Sequence, residues 1–123
     1  MLDIDRFKSI NDRFGHNAGD LVLKTIAEEI NDRIRKIDCL ARWGGEEFVI
    51  MLPGTPVDKA AILVEELRES ISKMNITGVD RVTASFGVAS YCSEDTADTL
   101  IQKADNLMYE AKAAGRNCIR RSE

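Results

Sequence analysis

Between Val82 and Val88 the apolar residues fall at every second position, with Val82, Ala84, Phe86 and Val88 alternating with Thr83, Ser85 and Gly87. That period predicts a strand with one face in a core. On both sides of it the period changes. Ala60, Leu63, Val64, Leu67 and Ile71 repeat at helical spacing before it, and Leu100, Ile101, Ala104, Leu107, Met108 and Ala111 do so after it. A strand set between two amphipathic helices must bury its face beneath helices, so the chain has to combine a sheet with packed helices.

The remaining segments extend the pattern. Met1 to Ile4 reads as the end of a short strand. Phe7, Ile10 and Phe14 predict a helix that Gly15 stops, and a second helix runs from about Gly19 to Ile34 on Leu23, Ile26, Ala27, Ile30 and Ile34. Cys39 to Trp43 and Glu47 to Leu52 flank Gly44-Gly45, which predicts a β-hairpin whose tight primed turn places both glycines at positive φ. Pro53, Gly54 and Pro56 break the chain before the third helix; Asn75 to Asp80 is a polar connection, and Cys118 to Arg120 a last short strand. The order is β-α-α-β-β-α-β-α-β, without repeats or a linker. At 123 residues this is one domain with one core, an α+β fold with helices on a central sheet.

Composition narrows the function classes. A net charge of −4 offers no global basic field for nucleic acid, so an anionic ligand needs a local cluster of Lys and Arg. An apolar run such as Phe48 to Leu52 is far short of a membrane span. The early charges Asp3, Asp5, Arg6 and Lys8 leave no room for a signal peptide. Cys39, Cys92 and Cys118 are scattered, with no CxxC spacing and no neighbouring His, which predicts small buried thiols in a reducing cytoplasm.

Two clusters carry candidate chemistry. Asp3, Asp5, Asn11, Asp12 and Asp20 surround the end of the first strand and the first helix, where oxygen ligands could hold a hard cation. Singly each has a plainer reading: Asp5 as a helix cap, Asp12 as a solvated charge. The hairpin adds Glu46 and Glu47, adjacent carboxylates that repel each other and gain most if a cation or a metal-bound nucleotide lies over the turn. Gly44 and Gly45 leave space for a ligand to approach the backbone. Lys112 and Arg116 follow the last apolar stripe, and Lys8 lies one helical turn past the first acids. Cations at a helix C-terminus also arise for dipolar reasons alone. Together with the carboxylates they would suit a triphosphate, which points to a metal–nucleotide site and to no particular reaction.

The stretch Asp3-Ile4-Asp5-Arg6-Phe7-Lys8-Ser9-Ile10-Asn11-Asp12, followed by Phe14-Gly15-His16 and Gly19-Asp20, resembles the start of the GGDEF family of diguanylate cyclases. Arg42-Trp43-Gly44-Gly45-Glu46-Glu47-Phe48 resembles the family's signature loop in its GGEEF variant. Ser85-Phe86-Gly87-Val88, Ala104-Asp105, Tyr109, Lys112 and Gly115-Arg116-Asn117 resemble its tail, so the likeness covers essentially the whole chain. It implies a mixed, mainly antiparallel sheet flanked by helices, similar to the adenylate cyclase core and the polymerase palm.

The resemblance also implies roles. Asp3, the Ile4 carbonyl, Glu46 and Glu47 would hold Mg²⁺ or Mn²⁺, with Glu46 and Glu47 as the catalytic carboxylates. Asn11 and Asp20 would bond the guanine edge, and Asp20, accepting from N1–H and N2–H₂, would favour GTP over ATP. Phe7, Gly44 and Gly45 would line the substrate, and Lys8, Lys112 and Arg116 would hold its phosphates. Two GTP would condense to cyclic di-GMP across a homodimer of domains, so activity per chain should rise with concentration. Arg35 and Asp38 match the family's RxxD site, which implies inhibition by the product. His16 is expected to shape the turn between the first two helices, and Trp43 to pack beside the hairpin.

The family carries a further helix and an Asp-x-Leu-Thr-Gly-Leu-x-Asn-Arg segment before its first strand. The expectation is therefore a catalytic domain over residues 1–123, truncated at its N-terminus, with apolar surface laid bare that could drive association. A sensory or receiver domain is expected in the parent protein, which could itself be membrane-anchored. Intact Asp3, Glu46 and Glu47 favour an active nucleotidyltransferase of bacterial signalling. The shortened N-terminus favours a silent module that binds GTP or cyclic di-GMP, and Asp20 argues against a cyclase of mixed dinucleotides.

Overall fold

Asp3 sits in the middle of the molecule because its strand does. The computed structural model describes residues 1–123 and places β1 (Leu2–Ile4) at the centre of a five-stranded sheet of order β2-β3-β1-β4-β5. The other elements, in chain order, are α1 (Phe7–Phe14), α2 (His16–Arg33), β2 (Cys39–Arg42), β3 (Glu47–Met51), α3 (Val57–Ser72), β4 (Ala84–Val88), α4 (Ala97–Ala113) and β5 (Ile119–Arg121). All pairings are antiparallel except β4 with β5, so the sheet is mixed and mainly antiparallel, as expected.

The two-residue period sorts the sheet into two faces. Leu2, Ile4, Phe48, Ala84, Phe86 and Val88 join Val22, Ile26 and Ile30 of α2 and Val64, Leu67 and Ile71 of α3 in one buried cluster. The opposite face carries Asp3, Ser85 and Gly87. Sequence periodicity predicts a β4 with only one face in the core, yet every residue from Ala84 to Val88 is buried. The reason is α4, which covers the second face at very short range. A Cβ on Gly87 would stand 2.1 Å from the Ala104 carbonyl oxygen and 2.4 Å from the Met108 nitrogen. Glycine is what lets this helix backbone lie on the sheet.

Three local expectations are corrected. Helix α2 starts at His16, because Gly15 turns the chain at φ 94° and the helix resumes at once. His16 is exposed as the first residue of that helix, and Ile34 lies outside it. Neither Gly44 nor Gly45 has a positive φ, so the hairpin holds no primed turn. The last strand pair is Arg42 with Phe48, and the loop between them is closed by the Trp43 N–H donating to the Glu47 carbonyl at 2.8 Å. Arg42 folds its guanidinium over this loop and donates to the carbonyls of Gly44 at 3.2 Å and Gly45 at 2.7 Å.

Cys39 and Cys92 are exposed and Cys118 half-buried, against the expectation of buried thiols. Cys39 begins the edge strand β2 and Cys92 stands in the loop before α4, where no second layer covers them. Trp43 is likewise 54 % exposed rather than packed away. No helix is long and apolar enough to cross a membrane.

Candidate functional site

Strand register brings the acids together. Asp3 pairs laterally with Glu47 on one side and with Ser85 on the other. The Ile4 N–H donates to the Glu46 carbonyl at 3.1 Å, which ties the acidic loop to the end of β1. Lateral neighbours on one sheet face have side chains within reach of each other. Asp3 and Glu47, 44 positions apart in sequence, are therefore side by side.

Asp3 is 4 % exposed. One oxygen, Oδ2, accepts from Lys112 Nζ at 2.8 Å, and the other, Oδ1, is buried with no partner at all. Burial raises the pKa of this carboxyl above its ordinary value, Lys112 opposes the rise, and the charges of Glu46 and Glu47 add to it. Glu46 and Glu47 form no ion pair. Lys112 reaches Asp3 from one helical turn beyond Met108, where α4 rests on Gly87. The close seating of that helix thus sets the cation of the site.

Asp5 has a different surrounding. It caps no helix: α1 follows Arg6, a residue in the left-handed conformation at φ 55°, without any side-chain cap. Asp5 is 5 % exposed, and both oxygens of its carboxylate are partnered. Ser85 Oγ donates to Oδ1 at 2.6 Å, while Thr83 Oγ1 at 2.7 Å and the Asn117 N–H at 3.0 Å donate to Oδ2. The plain reading of Asp5 as a cap is thereby replaced by a buried knot joining β1, β4 and the turn after α4. Its one signal in sequence was an acid beside an apolar strand.

The base-side candidates lie on α1 and α2. Phe7 is buried, Asn11 half-buried and Asp20 exposed. Asn11 packs against Gly19, where an added Cβ would fall 1.9 Å from Asn11 Oδ1. Gly19 therefore belongs to this group, a residue that spacing alone did not single out. Lys8 faces a surface hollow lined by Arg6, Ser9, Asp12 and Arg13, and the structure does not bring it to Asp3. Arg116 is exposed in the turn after α4.

No three carboxylate, histidine or cysteine side chains form a closed cation cage. A metal nonetheless fits what is present: the orphaned buried Oδ1 of Asp3 is a hard oxygen donor, bordered by two carboxylates without ion pairs.

Arg35 and Asp38 form a clasp at the end of α2. The Asp38 carboxylate accepts from the Arg35 backbone N–H at 2.8 Å and from its guanidinium at 2.8 Å. The same guanidinium donates to the Pro53 carbonyl at 2.8 Å and to Thr55 Oγ1 at 2.9 Å. Arg35 holds Asp38 below the usual carboxylate range, chiefly through the side-chain bond.

The family description "Diguanylate cyclase, GGDEF domain" matches residues 1–118. The diguanylate cyclase DgcM of Escherichia coli K12 is 46% identical over 119 residues, which are 97% of this chain and 29% of that protein. The active GGEEF domain of a diguanylate cyclase from Vibrio cholerae superposes with a TM-score of 0.89 at 30% identity, over 99% of this chain and 80% of that one. The GGDEF domain of DgcB from Caulobacter crescentus, solved in complex with c-di-GMP, gives 0.90 at 32% identity, over 98% and 74%. The chain belongs to the GGDEF domain family of diguanylate cyclases. It spans under a third of the length of its curated relative DgcM.

Proposed function

We propose that residues 1–123 form the catalytic domain of a diguanylate cyclase, joining two GTP into cyclic di-GMP with release of two pyrophosphates. The observation that carries this reading is the Asp3 carboxylate, buried with one oxygen orphaned, set between Lys112 and the Glu46-Glu47 loop.

Asp3, Glu46, Glu47 and the Ile4 carbonyl would hold Mg²⁺ or Mn²⁺, and that ion would supply charge neutralisation at the phosphates and a more acidic hydroxyl. Lys112 and Arg116, with Lys8, bind and orient the phosphate chain. Asn11 and Asp20 select guanine, because an acceptor facing N1–H and N2–H₂ is left unpaired by adenine. Phe7 and Asn11 both meet α2 at Gly19, and Gly44 and Gly45, without side chains, admit the nucleotide over the loop.

Each bond-forming step joins the 3′-oxygen of one GTP to the α-phosphorus of the other, and the bond from that phosphorus to the pyrophosphate oxygen breaks. The hydroxyl proton goes to Glu47, the pair-free carboxylate next to Asp3. One domain presents one nucleotide, so the reaction needs two copies face to face. Incubating the chain with GTP and Mg²⁺ at high protein concentration, with chromatography of the products, should yield cyclic di-GMP. The yield per chain should rise with concentration and vanish in Glu46→Ala. Flat specific activity across a dilution series removes the two-domain mechanism.

Arg35 and Asp38 serve as the inhibitory product site, where Arg35 stacks on guanine after leaving Pro53 and Thr55. Unchanged cyclic di-GMP affinity in Arg35→Ala, by calorimetry, removes that assignment. The second reading, a module that binds GTP or cyclic di-GMP without turnover, draws on the Asp3–Lys112 pair, which already engages one oxygen of the carboxylate. Saturable binding without product selects it. Either way the parent protein carries a sensory or receiver domain and the domain works in the cytoplasm.

A further inference from the structure

The turn after α4 is built from three successive residues of positive φ: Gly115 at 115°, Arg116 at 66° and Asn117 at 46°. Only the first is glycine; asparagine enters this region readily, so the steric penalty falls on Arg116. Such a turn persists where its surroundings hold it. Here Asn117 is gripped twice. Its backbone N–H donates to the buried Asp5 at 3.0 Å, and its side-chain Oδ1 accepts from Arg68 Nη1 at 2.9 Å.

Both grips are themselves anchored. Asp5 is fixed by Thr83 and Ser85. Arg68, on α3, is fixed by Glu65, which accepts from Nε at 3.0 Å and from Nη2 at 2.6 Å. Glu65 and Asn117 thus engage all three guanidinium nitrogens, which fixes the plane of the Arg68 side chain. Between the gripped Asn117 and the helix end stands Arg116, with its backbone N–H on the Ala111 carbonyl at 3.1 Å and its side chain exposed.

We propose that Arg68 is a positioning residue for Arg116: through Asn117 it fixes the strained turn and so aims the Arg116 guanidinium at the outer phosphates of the nucleotide. This rests on the reading of Arg116 as a phosphate ligand. The consequence is selectivity for phosphate-chain length, since a nucleoside monophosphate has nothing for a correctly aimed Arg116 to hold.

The test is calorimetric titration of the chain with GTP and with GMP in Mg²⁺. Arg116→Ala should weaken GTP by about tenfold, the loss of one charge-assisted contact. Arg68→Ala and Asn117→Gly should each weaken GTP by about three- to tenfold and leave GMP unchanged. Asn117→Gly allows the left-handed backbone at no steric cost and removes the Arg68 anchor. In an Arg116→Ala background, Arg68→Ala should add nothing, whereas Asn117→Asp, which keeps an oxygen for Arg68, should retain GTP affinity. If Arg68→Ala does not fold, the Asn117→Gly and Asn117→Asp pair decides the same question. Equal weakening of GTP and GMP, or an additive double variant, overturns the proposal. Full GTP affinity in Asn117→Gly, while Arg116→Ala loses it, overturns the linkage and leaves the phosphate site standing. No GTP binding by the unsubstituted chain, or full binding in Arg116→Ala, overturns the phosphate reading and the linkage with it.

Discussion

Asp3 and Asp5 lie two residues apart, both are buried, and they do opposite work. Asp5 accepts three hydrogen bonds and has no free oxygen, so its burial is compensated. Asp3 has one lysine and one oxygen left over, and its pKa is pushed up chiefly by burial, with Glu46 and Glu47 adding to the rise. A complete set of partners makes a buried charge a structural tie. An incomplete set, held in place by the sheet on one side and α4 on the other, is strain that a bound cation would relieve.

The comparison can be broken most directly at the two acids themselves. Asp5→Ala strands Ser85, Thr83 and the Asn117 N–H, and should cost about 3 kcal/mol in urea denaturation. Asp3→Asn keeps an oxygen for Lys112 and removes a poorly compensated charge. It should leave the urea midpoint unchanged or raised while abolishing cyclic di-GMP formation. Equal destabilisation by both would erase the distinction.

A smaller effect is expected at Gly19, where Ala would collide with Asn11 Oδ1 and dislodge it. The preference for GTP over ATP should fall by about tenfold, the scale of losing one buried recognition bond, with the circular dichroism spectrum unchanged. Competition binding of the two nucleotides reads this out, and an unaltered preference would separate Asn11 from base recognition.

The smallest effect concerns Asp38, a partnered carboxylate covered by the exposed Arg35 just past the end of α2. Its folded pKa is depressed by Arg35, so its contribution is present above the unfolded value of about 3.9 and is lost as pH falls through the folded one. The stability difference between the chain and Asp38→Asn should therefore be constant from neutral pH down to about 4 and shrink below it. A difference that grows on acidification would contradict the clasp.

Much of the architecture was legible from local spacing. The stripes of α2, α3 and α4 and the alternation in β4 gave the element order and the α+β class, because periods of 3.6 and 2 are imposed by backbone geometry within a few residues. The acidic loop and the Lys112–Arg116 pair were legible as well, since adjacent carboxylates in a turn and two cations around a helix end stand out. The family resemblance supplied the guanine and RxxD assignments, which spacing alone had left open.

What only the tertiary structure decided is who meets whom. Asp3 is set beside Glu47 by strand register, and Lys112 comes to it, 109 positions along the chain, because Gly87 lets α4 lie directly on β4. Asp5 reads as a helix cap until Ser85, Thr83 and Asn117 are seen around it. Gly44 and Gly45 read as a primed turn until Arg42 is seen bracing the loop, and the cysteines read as core until the sheet edge and the loop leave two of them bare. Local sequence sets the conformation of a segment through its own sterics and polarity. The partners of a buried charge depend on register and helix seating, which only the packing of the whole chain determines.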